Sequence, residues 1–206
     1  AYPFGESLDP IDAYYRAGVR SFGFVHAGNN AYADSSRPSG GTKVEWNGLS
    51  PLGKAAVGKL NDLGVIIDIS QLTPDGVLQT LKLSRAPVVA SHSGVRGVVD
   101  APRNLSDAEL DAIKANGGVV QVVAFGPSLV PPGPAFAAKV APIRARFGLA
   151  AAFAKPAGVT EALSAAQRTD YSHAVNALLP KATVKDFVDS IDYAVKRIGV
   201  DHVGIA

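Results

Sequence analysis

The sequence predicts an α/β fold, a (β/α)8 barrel of the TIM type, and three observations carry that expectation. Short β-branched runs alternate with helix patterns along the chain, which is the order of βα units around a parallel sheet. The helices open on proline-marked or boxed caps. Polar residues (His26, Gln71, His92) stand at successive strand ends, and a barrel gathers all such ends around one mouth. A doubly wound sheet fits the same alternation, but no GxGxxG follows any strand, so a dinucleotide fold has no specific support.

The elements follow in order. Asp9-Pro10 reads as an N-cap with proline at the first helical position, opening a helix Ile11–Ala17 that Gly18 ends. Val19–Val25 is a strand with His26 at its tip, and a Gly-, Asn-, Ser- and Asp-rich loop runs from His26 to Asn47. Ser50-Pro51 caps a helix Leu52–Leu63, closed by Gly64. Val65–Gln71 is the next strand, and Thr73-Pro74-Asp75 opens a helix to about Ser84. Val88-Val89-Ala90 is a buried strand with Ser91-His92-Ser93 at its C-terminal end. Ser106-x-x-Glu109 is a capping box for a helix Asp107–Ala115, followed by a strand Val119–Phe125. An Ala- and Pro-rich segment at about residues 127–182 reads as an insertion of short helices and loop. Thr183 caps the helix Val184–Ile198, whose expected buried stripe is Phe187, Val188, Ile191, Ala194 and Val195, and His202–Ala206 begins one more strand.

Composition narrows the function. The chain has 206 residues, of which 47% are hydrophobic and 18% charged, as in a globular domain or part of one. A net charge of +2 with dispersed basic residues argues against nucleic acid. With no cysteine there is no disulfide, thiolate metal site or cysteine nucleophile. No apolar run reaches membrane-spanning length, and AYPFGESLDP is not a signal peptide. The chain starts without Met and stops inside a strand, so it reads as a fragment.

Four side chains are candidates for chemistry. His92, between two serines at a strand end, suits a divalent metal such as zinc, or is a core-edge histidine satisfied by backbone. His26 is a candidate ligand, acid/base or oxyanion donor, or a loop histidine of no consequence. Arg103 can hold a carboxylate through its fork, or is a solvated residue beside a helix start. Asp68 is either a pocket carboxylate or tied to backbone N–H groups. His173, His202 and Asp100 read as structural or surface residues.

The blocks GVRSFGFVHAGNN, NGLSPLGKAAVGKLNDLGVIIDIS, LSRAPVVASHS, RNLSD and DHVGIA, in this order, resemble the renal (membrane) dipeptidase family of zinc peptidases on an amidohydrolase-like barrel. The resemblance implies that residues 1–206 are part of one barrel domain, covering roughly its fourth to eighth strands. It implies a two-zinc site: a His-x-Asp pair and a bridging Glu upstream of Ala1, and two histidines from later strands. His92 matches the second of these; the first falls on Gln71, where the family reads His, so one zinc rather than two is also open. His26 matches the residue that stabilises the oxyanion and Arg103 the one that binds the substrate carboxylate, while the proton-shuttling Asp would follow Ala206. The implied reaction is hydrolysis of a dipeptide by metal-activated hydroxide in a homodimeric enzyme. Another metal-dependent amide or lactone hydrolase, and a silent peptide-binding homologue, stay open as alternatives.

Overall fold

Five short segments form strands: β1 (Ser21–Gly23), β2 (Ile66–Asp68), β3 (Val89–Ser93), β4 (Val119–Val122) and β5 (Val203–Ile205). They come from a computed structural model that describes residues 5–36, 44–149 and 163–206. The parts of the His26–Asn47 loop at 37–43 and of the Ala/Pro-rich segment at 150–162 lie outside the described residues.

All strands are parallel, and they pair in chain order, β1-β2-β3-β4-β5. A doubly wound sheet reverses its strand order at a switch point; this one never does. Right-handed crossovers in an unreversed sheet lay every helix on the same face. Burial agrees. Phe22, Ile67, Ala90 and Val120 point toward the helices and are buried, whereas their neighbours Ser21, Ile66, Val89 and Val119 face the other side and are not. The sheet is therefore an arc of a β/α barrel.

Helix α1 (Asp9–Arg16) precedes the first strand, and the helices between strands are α2 (Pro51–Leu63), α3 (Pro74–Leu83), α4 (Asp107–Asn116) and, after three further helices, α8 (Val184–Ile198). Ser50, Thr73, Ser106 and Thr183 cap four of them through side-chain oxygens, and Ser106–Glu109 and Thr183–Asp186 are full capping boxes. The first helix departs from expectation. Its N-cap is Leu8, with no side-chain cap bond, and Asp9 is already helical, its N–H donating to Ser7 Oγ at 3.1 Å. On α8 Ser190, Ala194 and Ile198 are buried and Phe187 and Ile191 pack against the core, so most of the expected stripe faces inward, while Val188 is exposed. Residues 127–182 include most of α5 (Gly126–Leu129), together with α6 (Phe136–Arg146) and α7 (Ala165–Asn176), which bears His173 on an exposed position. No helix among the described residues is long and apolar enough to cross a membrane.

All strands but β3 are shorter than the apolar runs suggest. β1 stops at Gly23 and β2 at Asp68, so His26 and Gln71 lie three residues beyond the strand ends, in the loops. His202 closes a short 3-10 turn (Val200–His202) before β5, with Nδ1 2.8 Å from the Gly118 carbonyl, a structural role at the N-terminal side of the sheet.

The close approach of α2 to the loop before it depends on Gly53, where a Cβ would come within 2.1 Å of the Tyr32 carbonyl oxygen. Gly58, on the same helix, has nothing within 4 Å of that position. Gly53→Ala is expected to lower stability by about 1–3 kcal/mol through overpacking. Gly58→Ala is expected to raise it by up to about 1 kcal/mol through helix propensity. Urea unfolding midpoints of the two variants check the pair, and equal midpoints would contradict it.

Candidate active site

The site grows from the C-terminal ends of β2 and β3. Those strands share a single registered pair, Asp68 with Val89. Side chains complete the join. Asp68 Oδ1 accepts from the Ser70 and Ser91 N–H groups at 2.9 and 3.1 Å, and Oδ2 accepts from Ser91 Oγ at 2.5 Å. Ser70 Oγ takes the His92 N–H at 3.1 Å. Both sequence readings of Asp68 thus hold at once: it is tied to backbone N–H groups and it faces the site.

His92 stands at the C-terminal end of its strand, as expected, with β3 running on through Ser91, His92 and Ser93. The ladder between β3 and β4 shifts register between Ala90 and Ser93. Regular alternation would send His92 to the helix side with Ala90; an irregularity of this kind re-aims side chains. Ser91 and His92 both reach the same cluster. The His92 ring sits with Nδ1 2.7 Å from Ser91 Oγ and Nε2 2.8 Å from the Gln71 amide nitrogen.

The hydrogen-bond roles follow from the carboxylate. An ionised Asp68 only accepts, so Ser91 donates its hydroxyl hydrogen to it. Ser91 can then only accept from His92 Nδ1–H. The remaining ring lone pair is on Nε2, and the Gln71 amide donates to it. Burial pushes the His92 imidazole below its ordinary pKa of 6.5; Asp68 opposes this, and the charges of Arg103 and His26 add to the lowering.

Gln71 itself is held hard. It is 6% exposed, and its φ of 68° is in the left-handed region that residues with a Cβ seldom adopt. Its carbonyl accepts from the Ser36 N–H at 2.8 Å and from Ser36 Oγ at 3.0 Å. The loop from His26 is similarly tied. Ser35 Oγ donates to the His26 carbonyl at 2.6 Å, Asn30 bridges Phe24 to Tyr32 and Ala33, and buried Asp34 collects the N–H groups of Glu45, Trp46 and Gly48. This leaves the His26 side chain exposed, close enough to His92 for their charges to interact.

Arg103 stands on the segment Gly94–Leu105. Leu105 N–H to the Gly94 carbonyl (2.9 Å) and Arg96 N–H to the Leu105 carbonyl (2.8 Å) close this segment. Asn104 pins it by donating to the Val99 and Ser128 carbonyls, both at 2.9 Å. The Arg103 guanidinium lies 3.4 Å from the His92 carbonyl and 5.4 Å from the centre of the Phe125 ring. Gln71, His92 and Arg103 are thus joined by contact and His26 by charge, whereas Asp100 is an exposed loop residue away from these contacts. Sequence reasoning assigned no role to Ser70, Ser91 or Phe125; the serines flanking His92 were the visible signal.

As a metal site the pair does not fit. His92 and Gln71 are the two donors the resemblance places in this chain, yet they are spent on each other, and Ser91 takes the second ring nitrogen. Among the described residues no group of three or more His, Asp or Glu side chains could hold an ion.

Because the folded state lowers the His92 pKa, its contribution to stability is fully present above pH 6.5 and is lost as the pH falls through the depressed folded value. Replacing His92 by Asn is expected to flatten the part of the unfolding midpoint–pH profile below pH 6.5. Identical profiles for the two proteins would contradict this.

Comparison with known proteins places this geometry. The family model described as membrane dipeptidase (peptidase family M19) matches residues 1–206. The crystal structure of the probable dipeptidase PvdM from Pseudomonas aeruginosa superposes with a TM-score of 0.83 at 44% identity, covering 100% of this chain and 55% of that one. The dipeptidase tcpJ of Claviceps purpurea is 28% identical over 204 residues, 99% of this chain and 36% of that protein. A metallo peptidase from Rhodobacter sphaeroides, solved with a phosphinate mimic of the dipeptide L-Ala-D-Ala, has a TM-score of 0.67 at 22% identity over 97% of this chain and 45% of its own, a likeness of fold alone. This chain therefore spans about a third of one curated relative and about half of the similar solved chains. With its whole length matched by the family model, the chain belongs to the membrane dipeptidase family.

Proposed function

We propose that the complete protein is a zinc-dependent peptidase that hydrolyses the peptide bond of dipeptides. One observation supports this above the others: Arg103 meets His92 at the C-terminal end of β3, where barrel enzymes carry their chemistry, and the exposed His26 after β1 is near enough for its charge to act on His92. The dipeptidase name of its relative PvdM, at 44% identity, points the same way. When bound, the metal supplies Lewis acidity and an activated water. His92 and Gln71 do not make its site as they stand, so the roles argued below belong to this chain's own side chains.

Arg103 reads the end of the substrate. Its planar fork matches a free α-carboxylate, and the Phe125 ring and the His92 carbonyl fix where that fork lies. A carboxylate held there orients the peptide bond toward the strand ends and admits only short substrates. His26, exposed beside this position, donates a hydrogen bond to the oxygen that gains charge as the carbonyl becomes tetrahedral. The Ser35 hydroxyl, donating to the His26 carbonyl, holds the backbone of this donor in place before the substrate arrives. On this reading the chain is part of one barrel domain, with residues 127–182 as an inserted segment.

A second reading is favoured by the Gln71–His92 bond: a homologue that binds peptides at the same mouth without turning them over. Dipeptide binding seen by calorimetry, with no product formed in the full-length protein, would select it.

In the full-length enzyme, Arg103→Ala is expected to raise KM for dipeptides. A charge-assisted hydrogen-bonded pair contributes about 1.5–3 kcal/mol, or roughly ten- to a hundredfold. His26→Ala is expected to lower kcat about a hundredfold or more. Steady-state kinetics on a dipeptide and its C-terminal amide check both. Unchanged KM and kcat in Arg103→Ala would remove the carboxylate role.

A further inference from the structure

We propose that a hydrogen bond stands in for a metal at the His92 corner. The Gln71 carboxamide takes the ring nitrogen that a second ion would need, and no metal binds through His92. The proposal rests on reading this mouth as a metallopeptidase site and deepens that reading: the full-length protein works with one metal fewer than the two that its family resemblance implies.

The four groups Asp68, Ser91, His92 and Gln71 form a chain with one consistent direction. Asp68 accepts from Ser91, Ser91 from His92 Nδ1, and His92 Nε2 from the Gln71 amide, at 2.5, 2.7 and 2.8 Å. No lone pair on the ring is left over. Turning the Gln71 amide over would put its oxygen against the Nε2 lone pair, so the donor arrangement is the stable one.

The part of the chain behind His92 is what a metal-binding histidine requires. Such a ring donates its other N–H to a carboxylate or a group leading to one, which fixes the tautomer. Ser91 and Asp68 do this for Nδ1 and leave Nε2 as the outward donor atom. Only the residue in front of Nε2 departs from a ligand set. Gln71 brings a neutral amide, a poor donor to zinc beside imidazole. It is also poorly placed to swing away. Its residue is 6% exposed, its backbone sits at φ 68°, and Ser36 grips its carbonyl through two hydrogen bonds.

The test uses the full-length protein, stripped of metal by a chelator, labelled with 15N and titrated with Zn2+. Long-range 1H–15N spectra report the two ring nitrogens of His92, assigned by loss of their signals in His92→Asn. The expected result is an Nδ1–H tautomer whose Nε2 signal does not move at saturating Zn2+. Gln71→His is expected to carry one more zinc per chain than the wild type by elemental analysis, with the Nε2 signal shifted. A wild-type Nε2 that moves to the metal-coordinated position overturns the proposal. So does a natively folded Gln71→His that binds no additional zinc. If that variant fails to fold, the wild-type spectrum decides alone. Peptide turnover enters neither readout. An inactive protein with an unmoved His92 overturns the enzymatic reading only, and an active one with a zinc-shifted His92 overturns this proposal only.

Discussion

The Asp68 carboxylate serves the sheet and the site together. Backbone pairing between β2 and β3 is thin, one registered pair plus the Ile69 N–H to the Val89 carbonyl at 2.9 Å. Asp68 adds three hydrogen bonds across and beside that seam, to Ser70 N–H, Ser91 N–H and Ser91 Oγ. A partly buried carboxylate would be costly without such partners. Here the same donors that solvate it fasten β3 in the position from which Ser91 and His92 reach the mouth. Strand pairing and side-chain orientation at this point are one interaction.

Around that seam polar side chains fasten loops whose Tyr32, Ala33, Leu49 and Leu72 are themselves buried in the core. Asp34 gathers three backbone N–H groups, and Asn30 turns the chain after Phe24. From α3, Gln79 donates to the Asn47 carbonyl at 2.8 Å and accepts from Leu49 N–H at 2.9 Å. Asn47 and Gln71 are the two non-glycine residues with positive φ among those described, and both belong to this network. Left-handed backbone at such residues is unfavourable and persists where surroundings over-determine it. The neighbouring hydrogen bonds do so here, and the mouth is preorganised as a consequence.

The sequence made helix ends legible and strand ends much less so. Ser50, Thr73, Ser106 and Thr183 were readable because a cap is a local bond between residues three apart. Strand ends depend on a neighbour far along the chain. The apolar run Val19–Val25 continues past the last paired residue, Gly23, so His26 stands in a loop rather than at a strand tip. The register shift in β3 carries no composition signal, yet it decides which way His92 faces. At α1 the Asp9-Pro10 signal misplaced the cap by one residue: Leu8 stands at the N-cap with no side-chain bond, and Asp9 is already helical. Barrel curvature was legible only indirectly, through polar residues near several strand ends; unreversed strand order establishes it. The residues of the mouth could be named from sequence, but the bond between Gln71 and His92 joins positions 21 apart and could not.

That bond also explains how the fold accommodates glutamine where the family resemblance implies histidine. Two imidazoles whose lone pairs converge are stable together when an ion lies between them. Without the ion, each buried lone pair lacks a donor, at about 1–3 kcal/mol apiece. A metal-binding fold therefore borrows part of its stability from its ligand. Glutamine changes this balance with one side chain. Its N–H supplies the proton that the His92 lone pair needs, and Ser36 holds the backbone at the conformation the contact requires. The corner is then internally satisfied, and β2, β3 and the loops they carry keep their positions with no ion at His92. On the proposed reading, Arg103 and His26 keep their places beside this corner for a short peptide.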